Sequence, residues 1–317
     1  RALLKSTGDW PLRDYFRFSD KVGCRQSCRG FIEYMESDDD IRYTLMGLLI
    51  IEKHGRDFTW RDVAWLWENQ FPMAQLCTAE CQAALNYNLC GGRQNKPAWD
   101  IDRIRCFNNP YREWIGAQIR GDYFGYINPG NPEAAAEMAF RDASISHVKN
   151  GIYGEMFVAA MLAKAAVCSD MEEIIRTGLS EIPKSSRLYE QIVRVLDGHA
   201  AGLSFDKLMQ ELILSQYDDK NGHHWCHTIS NAMIVTAALL YGGGDYGKTI
   251  CLAVQSGFDT DCNGATAGSI LGMICGAEAI PEEWSAPVNG LLDSTIFGVR
   301  TVSLDEMAES TLSHIPE

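Results

Sequence analysis

The chain has 317 residues, 46% of them hydrophobic, and a formal charge of −14, which is ample material for a sizeable core. The acidic balance excludes a nucleic-acid-coating surface, because backbone binding needs clustered Lys and Arg to displace counterions. No run approaches the about 18 uninterrupted apolar residues of a membrane span, so a soluble, cytoplasmic protein is expected.

Helical periodicity dominates in chain order. The stretch 41–53, "IRYTLMGLLIIEK", repeats apolar residues at 41, 45, 48, 49 and 51, one broad stripe. The same spacing predicts helices over 60–68, 73–85, 133–147, 153–168, 170–178, 186–197, 204–214, 228–241, 246–255, 263–277 and 303–315. Strand signals are few and short, so the fold class is all-α. "NPGNPE" at 128–133 stops one segment and starts the next, with Pro132 suited to a first helical turn. "YGGGDYG" at 241–247 reads as a helix stop followed by a tight turn. The longest stretch without clear periodicity is 88–131, and its Arg, Asn, Gly and aromatic residues suit a ligand-contacting loop. Gly264, Gly268, Gly272 and Gly276 recur every fourth residue after a second acidic motif. Each costs about 1 kcal/mol against alanine inside a helix, which predicts close packing against that backbone. The eleven cysteines lie scattered in apolar segments, as at Cys168, Cys251 and Cys275, and are expected to be reduced. The pairs Cys24/Cys28 and Cys77/Cys81 lack the companion ligands of a zinc site.

Two acidic clusters carry the chemistry. Asp38, Asp39 and Asp40 precede the 41–53 helix, and Asp259 and Asp261 precede the 263–277 helix. N-capping explains one aspartate at each site, since a helix N-terminus favours a carboxylate. Three in a row call for more. Five carboxylates brought together repel one another unless a cation neutralises them, and hard oxygen donors favour Mg²⁺, Mn²⁺ or Ca²⁺. Such a set suits two ions about 3.5–4 Å apart.

The ordered pair "DDDIRYTLMGLL" (38–49) and "GFDTDCNGATAGSILG" (257–272) resembles the two metal-binding motifs of the ADP-ribosylglycohydrolase family. "GAQIRGDYFG" (116–125), "RDASISHVKNGIYGEMFVAAMLAKA" (141–165) and "HTISNAM" (227–233) are similar to that family's intervening segments. The resemblance covers most of 30–300. It implies a single domain over 1–317, an orthogonal multi-helix bundle with a binuclear Mg²⁺ centre (Mn²⁺ being the alternative), and cleavage of a glycosidic bond at a ribose anomeric carbon. By motif position Asp38 takes the family's Thr/Ser place, Asp39 and Asp40 its aspartates, Asp259 and Asp261 the DxD, and Cys262 a threonine. Metal ligands are thus expected at Asp38, Asp39, Asp40, Asp259, Asp261 and Cys262, with Asp39, Asp40 or Asp261 as the catalytic carboxylate. Nothing before residue 36 matches the family's Gly-rich opening, so the chain is expected to lack that segment.

The resemblance also implies substrate contacts at Arg120, Tyr123, Phe124, His147, Gly151 and Tyr153. Arg120 would meet phosphate through its planar fork, and Trp114, Tyr123, Phe124 and Tyr126 would stack on a base or sugar. His227 is expected to be structural. An ADP-ribosylated or otherwise ribosylated substrate is the expected partner. A small N-glycoside is the alternative, and a non-catalytic crystallin-like protein a further one. No G-x-S-x-G or protease-like cysteine context appears, and "GGGDYG" lacks the ending of a phosphate loop.

Overall fold

The computed structural model describes residues 1–91, 99–218, 220 and 223–316. Among them are sixteen α-helices, 3₁₀ turns and one small sheet. The helices are α1 (Ala2–Thr7), α2 (Asp39–His54), α3 (Trp60–Gln70), α4 (Thr78–Leu89), α5 (Ile101–Cys106), α6 (Asp122–Tyr126), α7 (Pro132–Ala143) and α8 (Asn150–Ala165). They continue with α9 (Met171–Ser180), α10 (Arg187–Ala200), α11 (Phe205–Leu208), α12 (Thr228–Gly242), α13 (Tyr246–Gln255), α14 (Thr260–Cys275), α15 (Glu282–Ser285) and α16 (Leu304–Ser313). The all-α expectation holds, and no helix among the described residues is long and apolar enough to cross a membrane.

Local chemistry sets the boundaries. Thr59 and Asp62 close a capping box at the start of α3, where the Thr59 hydroxyl and backbone both meet the Asp62 carboxylate. Asn131 caps α7 and Pro132 occupies its first turn, where the missing N–H costs nothing. Gly55 ends α2 and Gly243 ends α12, both with positive φ (71° and 67°). The 204–214 helix is interrupted: α11 stops at Leu208 and the chain continues through a π-helical turn, Met209–Ile213, and a 3₁₀ turn.

α8 and α12 are buried nearly throughout and form the axis of the molecule. A helix apolar on every side must be surrounded, and α6, α7 and α9 pack on α8 while α10, α13 and α14 pack on α12. One core cluster gathers α2, α3, α4 and α7 around Trp67, Tyr123 and Phe124. A second gathers α8, α9, α10 and α12 around Phe157, Ile192 and Ile234. Tyr126 and Met156 border both.

Three regions differ from the sequence reading. The 88–131 stretch holds α5, a 3₁₀ turn at Gln118–Arg120 and α6, each too short to display a 3.6-residue period, while its positions 92–98 lie outside the described residues. Residues 291–303 form a hairpin, β1 (Leu291–Ile296) and β2 (Val299–Ser303), antiparallel with a register irregularity between Asp293 and Ile296. The hairpin braces the approach to α2: Met35 N–H donates to Leu291 O and Asp293 N–H to Met35 O, each at 2.9 Å. The four glycines do not act alike. Cβ atoms at Gly264 and Gly268 would meet Val254 at 2.9 Å and Ile250 at 3.3 Å on α13, Gly272 faces open space, and Gly276 has φ +76° as the stop of α14.

Candidate metal centre

The starts of α2 and α14 converge, so the two acidic motifs face each other. Ligand atoms of Asp40, Asp261 and Cys262 lie within 4.8 Å of one another. The capping reading divides between the motifs. Asp38 is a true cap, its Oδ1 accepting from Ile41 N–H at 2.8 Å. Asp259 holds the cap position of α14 but makes no side-chain cap bond, so its carboxylate is not used to cap the helix. Asp40, 7% exposed, leaves Oδ2 without a hydrogen-bond partner. A buried carboxylate oxygen without a partner costs about 1–3 kcal/mol or more, and a bound cation would remove that cost.

The electrostatics agree. Burial, with Asp39 and Asp261 nearby, pushes Asp38 up to about 6 even though Ile41 N–H favours its charged form. Burial and the charges of Asp38, Asp39, Asp261 and Asp122 push Asp40 well above the carboxylate range. Burial and Asp261 push Asp259 up to about 7. Burial, with the same carboxylates around it, raises the Cys262 thiol as well. Without a counter-charge this pocket resists full ionisation, and a divalent cation reverses that logic. The donor set of clustered carboxylates fits a hard cation, with one sulfur beside it.

Neighbouring groups hold the motifs in place. Asn231, on α12, accepts from Asp259 N–H at 3.1 Å and from Asn263 Nδ2 at 2.8 Å, and its own Nδ2 donates to Trp225 O and His227 O. Gly257 and Phe258 precede Asp259 with φ of 79° and 64°. A left-handed Phe is costly, and such strain is often found at functional turns. Its ring meets Tyr217 edge-on at 5.7 Å. The Cys77 thiol donates to Asp39 Oδ2 at 3.2 Å and the Cys226 thiol to Asp259 Oδ2 at 3.4 Å. Asp122, pushed up to about 6 by burial, accepts from Tyr126 at 3.2 Å, and Tyr126 also bonds Ser269 at 2.6 Å. Asn231, Asp122, Cys77 and Cys226 were not among the expected site residues. "HTISNAM" and "GAQIRGDYFG" carried a signal for Asn231 and Asp122, as motifs in which neither had an assigned role.

The expected substrate contacts are mostly elsewhere. Arg120 is 2% exposed and its guanidinium is taken up by Glu80, Asp142 and Glu155, with Ser146 Oγ at 3.2 Å. It is therefore a buried ion-pair hub and has no free fork for phosphate. Three carboxylates share its one charge, so burial pushes Glu80 up to about 7 and Glu155 well above the usual range. Tyr123 and Phe124 are core residues: the Tyr123 hydroxyl bonds His314 Nδ1 at 2.6 Å, and Phe124 stacks on Phe58 at 5.4 Å. His147 is fully buried with Nδ1 2.8 Å from Ser146 Oγ, and burial lowers its pKa well below the usual value. Gly151 serves packing, since a Cβ there would meet Arg112 O at 2.6 Å. Tyr153 is half-buried against apolar neighbours. His227 caps α12 by accepting from Ile229 N–H at 3.1 Å.

Of the stacking candidates, Trp114 alone stands in an open aromatic group. It meets Tyr111 at 4.7 Å, His224 at 4.6 Å and the half-exposed Trp225 at 6.3 Å. Backbone pairing seats this group beside the second motif: Ile115 N–H donates to Cys226 O at 2.9 Å and Thr228 N–H to Glu113 O at 3.1 Å.

No curated protein matches the chain. The family model described as ADP-ribosylglycohydrolase matches residues 4–315, nearly end to end. With the acidic motifs meeting at two helix starts in an all-α fold, the chain belongs to the ADP-ribosylglycohydrolase family.

Proposed function

We propose that this protein, as one catalytic domain, is a Mg²⁺-dependent hydrolase that cleaves the glycosidic bond at a ribose anomeric carbon of ADP-ribosylated protein or an ADP-ribose derivative. The observation that carries the reading is the meeting of the two acidic motifs, with carboxylate oxygens of Asp40 and Asp261 within 4.8 Å of each other and a buried Asp40 oxygen without a partner beside them. Asp38, Asp39, Asp40, Asp259 and Asp261 would hold two ions, Mg²⁺ or Mn²⁺. Such ions supply Lewis-acid polarisation and a water acidified toward neutrality.

The chain's own groups do the rest. A carboxylate of the cluster, Asp39, Asp40 or Asp261, accepts the proton of the attacking water as charge develops on the anomeric carbon. Asn231 keeps Asp259 in position through its backbone N–H, and the Asp38 cap fixes the start of α2. The aromatic group around Trp114 offers an apolar face for the base or sugar. The eleven free cysteines suit a reducing compartment, in keeping with the cytoplasm.

A second reading, hydrolysis of a small nucleoside-type N-glycoside, draws support from Arg120, the cation expected to meet phosphate, being engaged by three carboxylates. The test is Mg²⁺ titration by calorimetry on the full chain, followed by turnover of ADP-ribosylated protein, ADP-ribose derivatives and free nucleosides. The proposal expects binding and turnover that are both lost in Asp261→Asn. Binding with turnover of nucleosides alone would select the second reading, and absence of binding would discard both.

A further inference from the structure

We propose that the position bounded by Asp40, Asp261 and Cys262 takes a thiophilic divalent cation, of the Zn²⁺ or Co²⁺ type, in preference to Mg²⁺. The inference rests on the metal-centre reading above and goes beyond it by making the ion positions of the centre unequal.

Cys262 is 2% exposed on the first turn of α14, directly after Asp261. Its sulfur and one oxygen from each of Asp40 and Asp261 are mutually within 4.8 Å. Zinc–sulfur and zinc–oxygen bonds of about 2.3 and 2.0–2.2 Å in a tetrahedral shell set neighbouring ligands about 3.5 Å apart, so three donors already within 4.8 Å of one another need to draw in by about 1 Å to close on one cation. The independent pointer to a ligand is Asp40 Oδ2, a buried oxygen without a partner on a carboxylate that belongs to the triangle. Acidic capping residues would need no sulfur among them, and a hard-ion site would be expected to offer oxygen alone.

Mg²⁺ demands near-octahedral oxygen coordination and keeps its waters, whereas thiolate selects softer or borderline ions. Two more thiols border the centre, Cys77 on Asp39 and Cys226 on Asp259. They donate to carboxylate oxygens, so their place is to orient those carboxylates, and Cys262 is the one sulfur in the triangle. On binding, the S–H bond of Cys262 breaks and a sulfur–metal bond forms, and the proton leaves to solvent.

The test is titration of the full metal-stripped chain with Co²⁺, read by absorption and by calorimetry, in wild type, Cys262→Ser, Cys77→Ser and Cys226→Ser. A near-ultraviolet sulfur-to-cobalt charge-transfer band is expected in wild type, retained in Cys77→Ser and Cys226→Ser and lost in Cys262→Ser. Zn²⁺ affinity is expected to fall at least about tenfold in Cys262→Ser, the low end of what losing even a supporting group costs a metal site, while Mg²⁺ affinity changes little. Wild type needs no variant to fold, so its spectrum is decisive alone. Calorimetric Co²⁺ binding without the band would overturn the sulfur assignment while leaving the metal centre standing. Absence of binding by Co²⁺ and Mg²⁺ alike would overturn the metal centre, and the inference with it.

Discussion

At the scale of single residues, one carboxylate shows what burial among like charges does when nothing offsets them. Asp40 is driven above the carboxylate range by burial and by the charges of its neighbours, so in metal-free protein it opposes folding at neutral pH. Asp40→Asn is expected to raise the Tm of EDTA-treated protein by a few degrees, about 1 kcal/mol or slightly more, and to abolish Mg²⁺ binding. A variant that loses both stability and binding would mark Asp40 as structural. Arg120 predicts the opposite. Its removal strands Glu80, Asp142 and Glu155 without a cation, and breaking a buried ion pair costs about 3–5 kcal/mol. Arg120→Met should lower the urea midpoint steeply even though the residue touches no metal ligand directly.

At the scale of elements, α14 shows how one glycine pattern serves three purposes. A Cβ at Gly264 would press on Val254 at 2.9 Å, whereas one at Gly272 meets nothing within 4 Å. Gly264→Ala should therefore destabilise the protein, by about 1–3 kcal/mol if Val254 cannot yield. Gly272→Ala should stabilise it by up to about 1 kcal/mol through helix propensity. Thermal melts of the two variants would check both signs. The long helices were legible because their apolar period persists over three or more turns, and α13 matches its expected span, 246–255, at both ends. α5 and α6 have no such length, and the 291–303 hairpin, with its irregular register, presents only a short alternation. The two acidic motifs were legible because charge so dense beside apolar helices has few uses. Arg120 and Tyr123 were misplaced because residue type suggests what a side chain can bind and says nothing of which neighbours reach it first. Cys77, read only as one of a cysteine pair, and Cys226 were not assigned to the site because each acts through a carboxylate far away in sequence.

At the scale of the whole molecule, titration and connectivity govern behaviour. His147 and His227 are held neutral by burial, His227 down to about 3 from 6.5. At these two sites the unfolded chain therefore binds more protons than the folded one below pH 6.5, so the stability from these residues is complete above that value and declines as acid is added. The carboxylates raised by burial, among them Asp38, Glu80, Asp122 and Asp259, act in the opposite sense over this range, so the test is a difference: the stability of wild type relative to His227→Gln should fall between pH 7 and 5 in chemical denaturation, and a constant difference would remove His227 from the account. The cluster around Arg120 has a different reach. Its partners come from α4, the 118–120 turn, α7 and α8, so no one of these segments can detach without leaving a charge dry and unmatched. Partly opened forms are penalised on every side, and the four segments are bound into one cooperative unit. Their slowest amide protons should exchange with solvent at a single common rate, released together or not at all.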